Sequence, residues 1–155
     1  MGPNAHYDLF NRGKIIPWLF SVVVMYGISY AWHGLLLNDI SEMRMALGTY
    51  LALASAAYAL IGLGITYAVH SAILRGWISM KVAFPLKAMA VGAVIGAIVY
   101  ALVFLSGFSF ASHELHHVFL DAIWQVAEQA VGGLMVAFGI IYDMHRRFMK
   151  AERAS

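Results

Sequence analysis

The chemistry this sequence can offer is concentrated in its histidines and in one carboxylate. Four histidines close four copies of one pattern, a glycine followed three residues later by an aromatic and three beyond that by histidine. The copies are Gly27, Tyr30 and His33; Gly64, Tyr67 and His70; Gly107, Phe110 and His113; Gly139, Tyr142 and His145. Imidazole is mostly neutral near pH 7 and ligates haem iron, copper or zinc through a ring nitrogen. Ser29, Thr66 and Ser109 stand four residues before three of these histidines. Their hydroxyls can hold a ring in place or bond back to their own helix. A second cluster, His113-Glu114-Leu115-His116-His117, has i,i+3 and i,i+4 spacing, so a helix through it brings His113, His116 and His117 to one face as a surface site for copper or zinc. The third is a stripe of Asp121, Gln125, Glu128, Gln129 and Gly132 that repeats with the helical period. A carboxylate carried this way into hydrocarbon must face the protein interior or water, and is a functional candidate by default. The same stripe also serves if it does no more than hydrogen-bond one helix to another.

The elements that position these groups are membrane helices. Of 155 residues, 62% are hydrophobic and only 12% charged, and the apolar residues fall in four blocks at about 15–37, 46–74, 85–111 and 122–142. Each is as long as the roughly 20 residues a helix needs to cross about 30 Å of hydrocarbon. Backbone groups there find no water, so each block is expected to be a helix. The sequence therefore predicts an all-α integral membrane protein of four transmembrane helices, a single domain over 1–155. The two helix hairpins form a parallel repeat, about 15–75 and 85–147, related by an axis along the membrane normal. Pro17 is expected in the first turn of the first helix, where its missing N–H costs little, and 113–121 is expected to be an outer loop. The spacing of Gly92 and Gly96 is that of small residues which let helix backbones approach.

Basic residues set the orientation. Arg12, Lys14, Arg75, Lys81, Lys87, Arg146, Arg147, Lys150 and Arg153 flank the N-terminus, the second loop and the C-terminus; Arg44 alone lies on the other side, with Asp39, Glu42, Glu114 and Asp121. By the positive-inside rule both termini are cytoplasmic, in what is expected to be the inner membrane of a bacterium. The pI near 9 reflects this gathering of basic residues on one side and does not point to nucleic acid. With no cysteine, the chain has no disulfide, thiolate ligand, c-type haem attachment or iron–sulfur cluster. No phosphate loop, Ser–His–Asp order or dinucleotide fingerprint is visible.

Four spans carrying His33, His70, His113 and His145 at their ends resemble the four-helix core of the cytochrome b561 family. The resemblance implies bis-histidine ligation of one b-type haem near each membrane face, with His33 and His113 paired on the outer side and His70 and His145 on the inner. The expected function is a small membrane subunit that binds haem b or a transition metal through these histidines and transfers electrons. Aromatic and histidine rings also favour the headgroup region as anchors without any ligand. Two alternatives therefore stand beside it. One is a cofactor-free accessory subunit of a larger energy-transducing complex, partnered by other membrane subunits or by copies of itself. The other is a quinone- or proton-handling protein built on a pocket around Glu128. The His113–His117 string also resembles one histidine box of the membrane di-iron desaturases, but those need several such boxes facing the cytoplasm. Here there is one, and it is expected on the outer side.

Overall fold

In the computed structural model, residues 12–36, 46–106 and 115–154 are described. Their regular structure is entirely helical: α1 (Arg12–Tyr30) running into a π-helical turn (Ala31–Leu36), α2 (Leu47–Leu74), α3 (Phe84–Leu105) and α4 (Leu115–Ala154). All four are long and apolar enough to cross a membrane, over Gly13–Leu36, Leu47–Leu74, Phe84–Leu105 and Val118–Arg153. Large apolar side chains such as Val23, Leu60, Leu86, Val94 and Leu102 face outward, as a bilayer-embedded surface requires.

The helices run alternately up and down. Lys14 lies over the Tyr67 ring, Gly62 sits on Val22 and Tyr26 meets Tyr58 edge to face, so α1 lies antiparallel to α2; Trp18 Nε1 also donates to the Ala59 carbonyl. Gly139 sits on Pro17, Gly132 on Met25, and Trp124 on Trp32, which makes α4 antiparallel to α1. Gly133 meets Ala88 and Tyr100 donates to the Val118 carbonyl, so α3 is antiparallel to α4. The ends where α1 and α3 begin carry most of the basic residues and form the basic end of the bundle; the opposite end is the far end.

Helix α4 is the axis of the bundle. It packs on all three others, most broadly on α3 and then α1, and 44% of its apolar 18-residue stretch is buried against 22%, 22% and 17% for the matching stretches of α1, α2 and α3. Glycines allow the closest approaches. A Cβ on Gly92 would strike the Gln129 carbonyl oxygen, one on Gly133 the Ala88 carbonyl oxygen, and one on Gly96 would lie 3.0 Å from the Gln125 carbonyl oxygen. Backbone therefore meets backbone along the α3–α4 seam, the arrangement that small-residue spacing permits.

Three local features differ from the sequence expectation. Helix α1 is already under way at Arg12, so Pro17 lies inside it and leaves the Gly13 carbonyl without its intrahelical donor; the ring is accommodated because Gly139 has no side chain. Helix α4 has begun by Leu115, which turns 115–121 of the expected outer loop into helix, and at 40 residues it is about 60 Å long. That is about twice the hydrocarbon thickness, so it projects beyond the bilayer. The repeated glycines are also not equivalent: Gly27 and Gly64 have open space where a Cβ would be, whereas Gly139 lies against Pro17. Helix α2 ends in a Schellman motif, with Gly76 at φ +72°, its N–H on the Ile73 carbonyl and the Trp77 N–H on that of Ala72. This turn buries Ile78 and leads into Phe84, also buried.

Candidate functional site

The polar stripe of α4 sinks into the bundle. Asp121 is exposed, Gln125 is half-buried, and Glu128 and Gln129 are 2% and 0% exposed. Glu128 lies ten residues beyond the start of the α4 span, about 15 Å along the axis at 1.5 Å per residue and so deep in an apolar layer.

Each helix touching α4 contributes to the surroundings. Glu128 faces α1 and α2, where the Tyr58 hydroxyl stands in polar contact with both its carboxyl and Ser29. Trp124, one turn toward the far end on α4, turns its indole nitrogen toward the same carboxyl but stops short of hydrogen-bond geometry. The Trp124 ring stacks on Trp32, with centroids 4.0 Å apart and planes 15° from parallel. The pair closes the site toward the far end. Trp32 belongs to the π-helical turn, a local widening that recurs at functional positions. Gln129 points the other way, its Cβ and Cγ filling the space that Gly96 leaves in α3.

The bundle interior is under-satisfied. Glu128 Oε1, both Gln129 amide atoms, Trp124 Nε1 and Thr66 Oγ1 are buried with no hydrogen-bond partner among the described residues. Each such group costs about 1–3 kcal/mol when left unpaired. Beyond Tyr58, a niche lined by Tyr26, Ser29, Tyr30, Tyr50 and Tyr58 opens between α1 and α2 and is too narrow for a water molecule. Tyr58 thus stands between Glu128 and this niche.

The histidines are dispersed. His33 is half-buried in the π turn. His70 is half-buried near the end of α2, and its Nδ1 donates to the Thr66 carbonyl at 2.9 Å, which fixes the tautomer with Nε2 unprotonated in the neutral ring. The backbone carbonyl of Thr66, and not its hydroxyl, is therefore what orients His70. His145 is exposed on the opposite side of α4 from Ile140, Asp143, Met144 and Arg147, which line a cavity with His70. His113 lies outside the described residues, as does Ser109; of His116 and His117 only the backbone, in the first turn of α4, is described. Among the described residues no group of three or more histidine, aspartate or glutamate side chains is close enough to hold a metal ion.

Reasoning from sequence did not single out Tyr58. Its signal is position: it falls eleven residues into a 28-residue helix, well inside the span, whereas tyrosines that anchor at the headgroups sit at helix ends. These features define the class, a protein whose described residues form four helices of membrane-spanning length with one carboxyl buried among polar groups at their axis. No family model matches the chain, and no curated protein or solved structure is significantly similar to it.

Proposed function

We propose that this chain is an integral membrane protein with both termini in the cytoplasm that handles a proton at Glu128, alone or together with a small redox ligand such as a quinone. The observation that carries this reading is the state of the Glu128 carboxyl. A residue kept only to tie helices together is expected to have its hydrogen bonds made; Glu128 Oε1 is buried without a partner, beside a tyrosine hydroxyl and an indole N–H. A carboxyl with one free oxygen and a neighbouring hydroxyl can accept and return a proton. Tyr58, in contact with Ser29 on its other side, supplies the relay toward the tyrosine-lined niche. Polar groups buried in apolar surroundings are retained where they work.

The test is proton movement in proteoliposomes holding an internal pH dye, with a membrane potential imposed by potassium and valinomycin. Glu128→Gln is expected to keep the fold and lower the flux about a hundredfold or more, the scale on which losing a proton-transfer group acts. Wild-type vesicles no leakier than empty ones, or a Gln variant as active as wild type, rejects the proposal.

A haem or metal reading has one observation in its favour, the fixed His70 tautomer, which turns Nε2 into a competent ligand atom. It requires His33 or His70 to find a second ligand on His113 or His145, or a separate metal site at His113, His116 and His117. A reducible Soret band, or stoichiometric copper or zinc in natively purified protein, would establish electron transfer or metal binding in place of the Glu128 reading. A colourless, metal-free protein without proton flux would leave the role of accessory subunit.

A further inference from the structure

At the basic end, away from Glu128, the ends of α1, α2 and α4 border an open-sided cavity of about 260 Å³. Its walls are of two kinds. Lys14, His70, Asp143 and Arg147 form the polar side, and Ile140 and Met144 the apolar side.

The cations are held in place. Lys14 Nζ lies 5.3 Å from the centroid of the Tyr67 ring, and Arg147 Nη2 donates to Asp143 Oδ2 at 2.8 Å. Asp143 engages the guanidinium through Nη2, and a planar fork of five N–H donors has the capacity to serve a second acceptor as well. Gly13 makes room for this arrangement, since a Cβ there would lie 2.7 Å from Arg147 Nη2. Two positioned cations, one of them a planar fork, facing a half-open cavity with an apolar wall at the level where the spans end, match the phosphate of an anionic lipid and the start of its glycerol.

We propose that this cavity binds the phosphate group of an anionic membrane lipid, with Lys14 and Arg147 as its ligands and Asp143 as the positioning residue for Arg147. The proposal is independent of the Glu128 reading.

The experiment is native mass spectrometry of the full chain titrated with phosphatidylglycerol and, separately, phosphatidylcholine. Wild type is expected to prefer phosphatidylglycerol. Lys14→Gln and Arg147→Gln should each weaken that binding about fivefold, the effect of one cation near an anionic lipid, and the double variant about thirtyfold. Arg146→Gln removes the same charge from an exposed neighbour that does not line the cavity, and should change binding less than twofold. Where a Gln variant fails to fold, Arg147→Lys replaces it and is expected to lose part of the preference with the fork. Equal losses in Arg146→Gln and Arg147→Gln, or an unaffected double variant, overturn the site. Displacement by millimolar inorganic phosphate without any preference for phosphatidylglycerol assigns free phosphate and overturns the lipid.

Discussion

Replacing Gly133 by alanine tests the seam on which the burial of the α4 stripe depends. A Cβ at this position would collide with the Ala88 carbonyl oxygen and come within 2.9 Å of the Ala88 carbonyl carbon and 3.1 Å of the Gly92 nitrogen. All three are backbone atoms of α3, so no side chain can swing aside and the helix itself must move. Overpacking of this kind costs about 1–3 kcal/mol, and a rigid obstacle places it near 3. Alanine returns about 0.8–1 kcal/mol through its greater helix preference, leaving a net loss of about 2 kcal/mol. Gly64 supplies the control, because nothing lies within 4 Å of its Cβ position; Gly64→Ala should be neutral or gain about 0.4–1 kcal/mol. The two variants should therefore differ by about 3 kcal/mol at the upper end. Gly132→Ala should fall between them, since its obstacle is the thioether sulfur of Met25, the flexible part of a side chain. Unfolding in mixed micelles of mild detergent and dodecyl sulfate, followed by circular dichroism, ranks the three. Gly133→Ala and Gly64→Ala unfolding at the same dodecyl sulfate fraction would refute the backbone-to-backbone packing of α3 and α4.

Two further outcomes are expected. Tyr58→Phe removes the hydroxyl between Ser29 and Glu128 and should slow proton uptake in proteoliposomes about tenfold, less than Glu128→Gln because the carboxyl remains; a rate equal to wild type would remove Tyr58 from the relay. Reporter fusions after Lys150 should report cytoplasm, and reporters inserted within 113–121 the opposite side, given nine basic residues on one side against one on the other; a C-terminal fusion active only outside the cytoplasm reverses the orientation proposed for Glu128 and for the phosphate site.

How much of this was legible in the sequence depends on what kind of physical constraint each feature obeys. Four helices of membrane-spanning length follow from apolar length alone, because hydrocarbon tolerates no other backbone arrangement for such segments. The inward face of Glu128 follows from an equally one-sided cost, a carboxyl against lipid. The end of α2 at Leu74 coincides with the end of the apolar block 46–74, and Gly76 closes it at φ +72°, a left-handed conformation that glycine enters cheaply. Features without such a penalty were not readable. The apolar block of α4 stops near Tyr142, yet the helix continues to Ala154. Arginine, lysine, methionine and glutamate follow, good helix formers that mark the end of a membrane span without ending a helix.

The histidine pattern shows the same limit from the other direction. Sequence repetition fixes the spacing of Gly, aromatic and His along each helix, but not which neighbour each face will meet. His70 turns its Nδ1 to its own helix and lines a cavity, whereas His145, in the matching place on α4, faces outward. Gly139 is locked on Pro17 while Gly27 and Gly64 meet nothing. The difference arises because α4 is the axis and touches every other helix, so a pattern repeated on it is read by different partners than the same pattern on α1 or α2. Tyr58 is the converse case. Within its own helix it is one more aromatic in an apolar run, and it joins the polar cluster only because α1 and α4 bring Ser29 and Glu128 to its hydroxyl. Polar contacts of this kind belong to a set of helices and not to any one of them, which is why the sequence marks the carboxyl by its cost and Tyr58 by its depth in the span, but does not join the two.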